Sequence, residues 1–277
     1  MTSKINVDLA KERQKCNFDG LELTYILDGG KDKTEQRRQI EDAVLKTGAH
    51  EDAVPAECLS LKERYENAVR KSIVFSDLVK THILEFTVIR RLTDAFFKEI
   101  SPFFLHMGMF VPTIIGQCTP EQQAKWLSPS LNFEVIGAYA QTELGHGTFI
   151  RGLETTATYD PSSEEFVLHS PTLTAYKWWA GGLGKTANHC IVVAQLHTKG
   201  KCYGVHTFVV QIRDLETHEP LPGIKVGEVG PRLGYNTGDN GFLGFEHYRI
   251  PRENMLMKNA QVLKVFKFVV PTGYSNT

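Results

Sequence analysis

The sequence predicts an α+β fold: an N-terminal helical domain followed by a middle β-domain of barrel or sandwich type. Two observations carry this. Up to about residue 131, apolar residues recur at helical spacing and one segment bears a complete helix-start signature. After Phe133 the chain changes to short runs rich in β-branched and aromatic residues, separated by clusters of Pro, Gly, Ser and Asp. The boundaries read as 1–132 for the helical domain, 133–262 for the β-domain and 263–277 for a tail of different character.

The charged run 11–15 (Lys-Glu-Arg-Gln-Lys) reads as a solvated helix face. Residues 36–46 place Ile40, Ala43 and Val44 on one face, and 59–81 continue with Leu61, Tyr65, Ala68, Val69 and Ile73. A third helix starts at Thr119. Its hydroxyl can cap, Pro120 suits a first turn that needs no amide hydrogen, and Gln122 completes a capping box. Ala124 and Leu127, with Trp126 beside them, then offer a packing face. Strands are expected at 154–159, 165–169, 190–196, 205–212 and 241–250, with turns at 160–163, 198–201 and 219–223. Short strands at this spacing argue a compact barrel or sandwich. Residues 249–253 (Arg-Ile-Pro-Arg-Glu) would close the β-domain, with a structural role or a ligand contact equally open, and Val265 to Val270 could add to an open sheet edge or promote aggregation.

With 277 residues, 42% hydrophobic and 23% charged, the chain has the composition of a soluble globular protein large enough for two domains. A net charge of −1 gives no electrostatic footprint for nucleic acid or an anionic membrane surface. No apolar run approaches the ~20 residues of a spanning helix, and the charged N-terminus lacks a signal-peptide core, so an intracellular protein is expected. The five cysteines are odd in number and scattered, which argues against a disulfide framework. Cys190, beside an Ile-Val-Val-Ala run, reads as a small buried hydrophobe. His189, Cys190 and Cys202 match no zinc spacing, and no metal is expected. His206 reads as a strand side chain.

The chemistry concentrates in two segments. Residues 139–147 read Tyr-Ala-Gln-Thr-Glu-Leu-Gly-His-Gly, where small and hydrogen-bonding groups would let backbone approach a planar ligand. Residues 177–184 read Lys-Trp-Trp-Ala-Gly-Gly-Leu-Gly, an indole pair beside three glycines. Taken singly, each has a plain alternative, a turn for the first and a core aromatic pair for the second. Their order is what is specific, with Gly-Leu-Glu-Thr-Thr-Ala-Thr-Tyr at 152–159 between them and Ile-Pro-Arg-Glu-Asn-Met-Leu at 250–256 after. In that order they closely resemble the flavin-binding signature of acyl-CoA oxidases, a resemblance that covers about residues 28–262.

The resemblance implies the first two of three parts of the acyl-CoA dehydrogenase and oxidase architecture, with the C-terminal helical domain missing. It implies FAD as cofactor and oxidation of acyl-CoA by O2 to a trans-2-enoyl-CoA and hydrogen peroxide. Thr142 is expected to contact the flavin ring and Gly181 to lie against the cofactor. Gln141 adds donors where negative charge builds on the ring. Trp178 and Trp179 would give an apolar wall, either indole being able to face the ring; Trp179 completes the candidate cofactor-binding set. Ala180 departs from a usual proline, which removes one φ constraint from that loop. His146 could lie near substrate, and Glu143 suits a structural or flavin-side role. The catalytic base of the family, a glutamate of the C-terminal domain, is expected beyond residue 277, so no catalytic residue is assigned and this chain alone is expected to be inactive.

A homodimer and a peroxisomal location also follow from the resemblance, although residues 274–277 (Tyr-Ser-Asn-Thr) are no Ser-Lys-Leu address. Two alternatives remain: an acyl-CoA dehydrogenase, or a non-catalytic partner of a full-length oxidase. Gly184-Lys-Thr186 imitates the end of a phosphate-binding P-loop. That pattern needs glycine where Trp179 stands, and a helix where a strand is expected, so a nucleotide triphosphatase is rejected.

Overall fold

The computed structural model describes residues 6–82, 97–264 and 268–270. Packing divides the chain into two compact units, Met1–Ala53 with Ile73–Lys98, and Val54–Ser72 with Glu99–Thr277.

The first unit contains helices α1 (Val7–Gln14), α2 (Gly20–Asp28) and α3 (Lys31–Lys46). The Asn6 carboxamide oxygen accepts from the Asp8 amide at 2.9 Å, and Asp19 accepts from Leu21 at 2.8 Å, so each short helix begins on a side-chain cap. Gly29 stops α2 in the left-handed region at φ 85°, where a side chain would be strained. As the spacing predicts, Ile40 and Val44 of α3 are buried, in a small core with Ala49 and Phe97. Ala43 is only half-buried, and α1 buries nothing, consistent with a solvated charged face.

Helix α4 (Leu61–His82) forms as predicted, but its buried face differs. Of the predicted stripe, Ala68 is buried and Tyr65 and Val69 are half-buried, but Leu61 and Ile73 are exposed, while Lys71, Ser72 and Ser76 are buried. Periodicity credits only apolar residues, yet hydroxyls bury readily once bonded, and Ser72 Oγ lies 2.8 Å from Ser101 Oγ.

In the second unit a π-helical turn (His106–Phe110) leads into α5 (Val111–Gln117) and then α6 (Pro120–Leu131). The predicted capping box is present: Gln122 N donates to Thr119 Oγ1 at 3.3 Å, and Thr119 N donates to Gln122 Oε1 at 3.1 Å. Gln122 also donates through Nε2 to the Glu253 and Met255 carbonyls at 2.8 and 2.6 Å, so the cap doubles as a tie to the end of the β-domain. The packing face corrects the expectation. Gln122, Trp126 and Ser130, four residues apart, are buried; Ala124 is exposed and Leu127 half-buried.

The β-domain is built from β1 (Gly137–Ala140), β2 (Thr156–Asp160), β3 (Glu165–His169), β4 (Lys177–Ala180), β5 (His189–Thr198), β6 (Lys201–Gln211), β7 (Ile224–Glu228), β8 (Gly241–Phe245) and β9 (Tyr248–Pro251). One sheet is mixed. Strand β5 pairs in parallel with β1 along its first half and with β2 along its second, while β6 runs antiparallel on its other side. Strands β3 and β9 extend that sheet beyond β2. A second sheet has the order β4-β8-β7, and the two share one apolar core, from Phe166, Leu168 and Phe208 to Leu243 and Phe245. The expected run 241–250 is two strands in two sheets, because His247 turns the chain at φ 50°.

Three of these nine strands went unforeseen. Strand β1 is short and built of small residues, β7 carries a glycine, and β4 coincides with the Trp-Trp segment expected in a loop. Arg249 clasps the β2–β3 hairpin, 3.0 Å from both Asp160 and Glu165, a structural role. Of the tail, Phe268–Val269 forms a strand paired with Gln261–Val262; the Phe268 ring sits 4.5 Å from Tyr203, over the β-domain core. Residues 265–267 and 271–277 lie outside the described residues.

His106 joins helix to sheet. Its Nδ1 accepts from the Gly137 amide at 3.0 Å, which fixes the proton on Nε2, and Nε2 donates to the Ser130 carbonyl at 2.9 Å. Burial pushes its pKa down to about 4. His189, against the edge of Trp126, is likewise pushed down to about 4 by burial. Gly137 has no room for a side chain, since a Cβ there would enter the Phe110 ring.

Both histidines are neutral when folded and bind protons when unfolded. Stability is therefore full above about pH 6.5 and falls as pH drops from there toward about 4, by roughly 3 kcal/mol per histidine at most. Urea unfolding at stepped pH should show this slope, and His106→Leu should reduce it. That variant should also lose about 1–3 kcal/mol at neutral pH, because the Gly137 amide is left unpaired.

Candidate functional site

The two glycine-containing segments of the sequence lie side by side. Trp178 N donates to the Thr142 carbonyl at 2.9 Å, Leu144 N to Tyr176 at 2.8 Å and Gly145 N to Thr174 at 3.0 Å, so residues 142–145 run along 174–178. Beneath this ladder, the Glu143 and Lys177 side chains form an ion pair at 2.9 Å with no solvent exposure. Lys177 Nζ spends its remaining donors on the carbonyls of Val193 at 2.6 Å and Gln141 at 3.3 Å. Glu143 accepts from the backbone amides of Glu154 at 2.7 Å and Thr155 at 2.9 Å. One buried pair thus binds three sequence motifs and the central strand β5. Burial lowers the Lys177 pKa, and the Glu143 charge opposes that shift. Glu143 takes the structural role that its position allowed.

Outside this pair, His146 Nε2 lies 2.8 Å from Glu154, which also accepts from the Thr172 and Thr174 hydroxyls. The Glu154 carboxyl is held below its usual range, first by Thr172 and then by His146. His146 is pinned to a carboxylate, away from the cavity described next.

Strand β4 is irregular where it passes β8. A bulge falls between Trp178 and Ala180, and Trp179 adopts φ 76°. The two indoles therefore part. Trp178 stacks on Phe242, with ring centroids 6.2 Å apart. Trp179 keeps 53% exposure and faces a cavity of about 830 Å³. Ile100, Phe104 and Leu105 line one side of that cavity, and the loop from Val229 to Asn240 lines another. Gly181 lies on the wall beside Trp179; a Cβ there would come within 3.1 Å of the Gly238 carbonyl and 3.3 Å of Leu105. Among the described lining residues, Arg232 supplies the only ionised side chain. It folds its own loop by donating to the carbonyls of Gly230, Tyr235 and Asn236 at 2.8–3.0 Å, and its guanidinium lies 6.0 Å from the Trp179 ring centroid. Its Nε is buried without a partner.

Of the four candidate cofactor-binding residues, Trp179 and Gly181 share the cavity wall. Gln141 and Thr142 do not line it. They sit on the neighbouring segment, Thr142 exposed and Gln141 half-buried, joined to the wall through the Thr142–Trp178 hydrogen bond. Arg232, Tyr235 and the 100–105 stretch were not singled out from the sequence. The glycine-rich run 229–241 was a usable signal for a shaped loop. Nothing in the spacing tells that it meets residues more than a hundred positions earlier. The P-loop imitation also resolves: the chain enters strand β5 after it, and Lys185 pairs with Glu228.

Comparison with known proteins gives a consistent result. The acyl-coenzyme A oxidase N-terminal family matches residues 19–136. Peroxisomal acyl-coenzyme A oxidase 1 of Phascolarctos cinereus is 51% identical over 275 residues, covering 96% of this chain and 40% of that protein. The Homo sapiens protein of the same name is 50% identical, with 96% and 41% covered. An acyl-CoA oxidase structure from Lycopersicon esculentum (tomato) superposes with a TM-score of 0.89 at 44% identity, over 95% of this chain and 40% of that one. Caenorhabditis elegans acyl-CoA oxidase-1, complexed with FAD and ATP, gives 0.91 at 41% identity, over 98% and 42%. The chain spans about two-fifths of the length of these relatives.

Glu143→Gln or Lys177→Met strands an uncompensated buried charge or its hydrogen-bonding partners, so each should destabilise the chain by about 3–5 kcal/mol. Glu143→Gln with Lys177→Met should recover part of that loss. A double-mutant cycle by chemical denaturation measures the coupling.

Proposed function

We propose that this chain, similar along nearly its whole length to acyl-CoA oxidases, forms the flavin-facing wall and part of the acyl cavity of an FAD-dependent acyl-CoA oxidase of fatty-acid β-oxidation. The observation that carries this is the meeting of Trp179 and Gly181 on one wall of the cavity. An exposed indole and a glycine without a Cβ leave a surface that a flat tricyclic ring can approach, so the residues present fit the cofactor. Gln141 and Thr142, one hydrogen-bonded segment away, would hold the polar edge of the ring through a carboxamide, a hydroxyl and backbone amides.

When bound, FAD would supply the hydride acceptor for the β-carbon of an acyl-CoA and the route for its electrons to O2, the products being a trans-2-enoyl-CoA and hydrogen peroxide. The protein's part is to place and shield the reacting atoms. Ile100, Phe104, Leu105 and Val229 offer an apolar lining for the acyl chain and exclude water beside the Trp179 wall. The unpartnered Nε of Arg232 leaves one donor of that cation unclaimed by protein acceptors.

Removal of the α-proton needs a base, and no carboxylate is among the described residues lining the cavity. A positioned base contributes about 10²–10⁴-fold. We therefore assign the base to a glutamate outside this chain, and catalysis to an assembly larger than it, a homodimer of the longer oxidase. The naming of relatives as peroxisomal supports the same location for this protein.

The test is the visible spectrum of chain 1–277 after dialysis, followed by palmitoyl-CoA in an oxygen-saturated peroxide assay. The expected result is bound FAD, occupancy sharply reduced by Gly181→Val, and no peroxide above free flavin. A colourless wild-type chain would sink the cofactor reading, and peroxide well above free flavin would sink the assignment of the base.

A further inference from the structure

The segment that imitates a phosphate-binding loop is not idle. Its backbone amides at Lys185 and Thr186 both donate to one oxygen of the Asp239 carboxylate, at 2.7 and 2.8 Å. Successive amides converging on an anion form a nest, the arrangement that elsewhere cradles phosphate. Here the anion is internal. Asp239 is completely buried and sits in the left-handed region at φ 33°, a conformation seldom taken without local compensation. The opposite side of the loop is held as well: Arg213, itself buried, donates to the carbonyls of Ala187, Leu183 and Gly184 at 2.5, 2.7 and 3.1 Å. The amides of the loop thus meet an anion and its carbonyls a cation.

What this latch secures is the cavity wall. Residues on either side of Asp239 belong to the cavity lining, Gly238 and Asn240. Gly182 N donates to the Gly238 carbonyl at 3.1 Å, and Gly184 N to the Asp239 carbonyl at 3.0 Å. Asn240 Nδ2 donates to the Trp179 carbonyl at 2.6 Å, fixing the peptide that carries the exposed indole. We infer that Asp239 is a positioning residue, the internal anion that fills the nest of the Lys185 and Thr186 amides and thereby sets Trp179 and Gly181 in place. Its consequence for flavin binding rests on the function proposed above; its effect on the wall does not.

The experiment replaces the anion. Asp239→Gly removes the carboxylate while accepting the left-handed backbone, and leaves a space that formate fits. Two readouts need no cofactor: hydrogen exchange at the Lys185 and Thr186 amides, and the fluorine NMR signal of 5-fluorotryptophan at position 179, assigned with Trp179→Phe. Asp239→Gly should speed exchange at both amides by at least about tenfold and shift the Trp179 signal. Formate should reverse both changes, and an equal concentration of chloride should not. An unmoved Trp179 signal, or no reversal by formate, overturns the inference.

Should Asp239→Gly fail to fold, Asp239→Asn keeps size and tolerance of the left-handed region without the charge. Wild-type exchange rates in that variant would equally overturn it. FAD titration of the same proteins is the third arm. A wild-type chain that takes up no flavin counts against the proposed function alone, because the other two readouts still judge the latch. Where wild type does bind, about tenfold weaker FAD in Asp239→Gly, restored by formate, is expected. Unchanged affinity overturns the positioning role.

Discussion

The buried contact between Glu143 and Lys177 is the constraint on which the rest of the site depends. A charged pair without solvent persists only if every remaining donor and acceptor is occupied. Those secondary bonds hold the structure: through them the pair gathers the backbone of residues 141, 154, 155 and 193 around one point. A hydrophobic pair of similar volume could fill the space but would leave these amides and carbonyls without partners. The ion pair therefore sets the register between the segment after β1 and strand β4.

From that register the wall of the cavity follows. Once Trp178 is bonded to Thr142, the bulge in β4 decides which indole turns outward, and Trp179 is the one left facing the cavity. Asp239 and Arg213 then stiffen the loop that continues the wall. The same logic recurs at the junction of helix and sheet, where His106 spends both ring nitrogens on backbone groups and stays neutral by burial. Buried polar groups bonded to backbone specify where elements meet, while the apolar core supplies most of the driving force.

The relation to the longer oxidases gives this arrangement its meaning. About two-fifths of such a protein is represented, at identities near one half, and that portion keeps a two-sheet core with its motifs in register. Among the described residues, the cavity lining is mostly apolar and holds one cation but no carboxylate. Under the proposed function, such a surface would seat a planar cofactor and an acyl chain.

By itself the sequence determined the order of helices before strands, the capping box at Thr119, the core positions Ile40 and Val44, the buried character of Cys190 and the family resemblance carried by residues 139–147 and 177–184. These are local matters, decided by spacing, turn residues and side-chain type within a few positions. Only the tertiary structure decided that β5 pairs in parallel with β1 and β2, and that α6 packs through Trp126 rather than Ala124. It alone decided that Trp179 and not Trp178 faces the cavity, and that Asp239 occupies the nest of an apparent phosphate loop. Each of these joins residues far apart in sequence. Their outcome rests on which polar groups find partners when water is excluded, a condition that no periodicity in a single chain records.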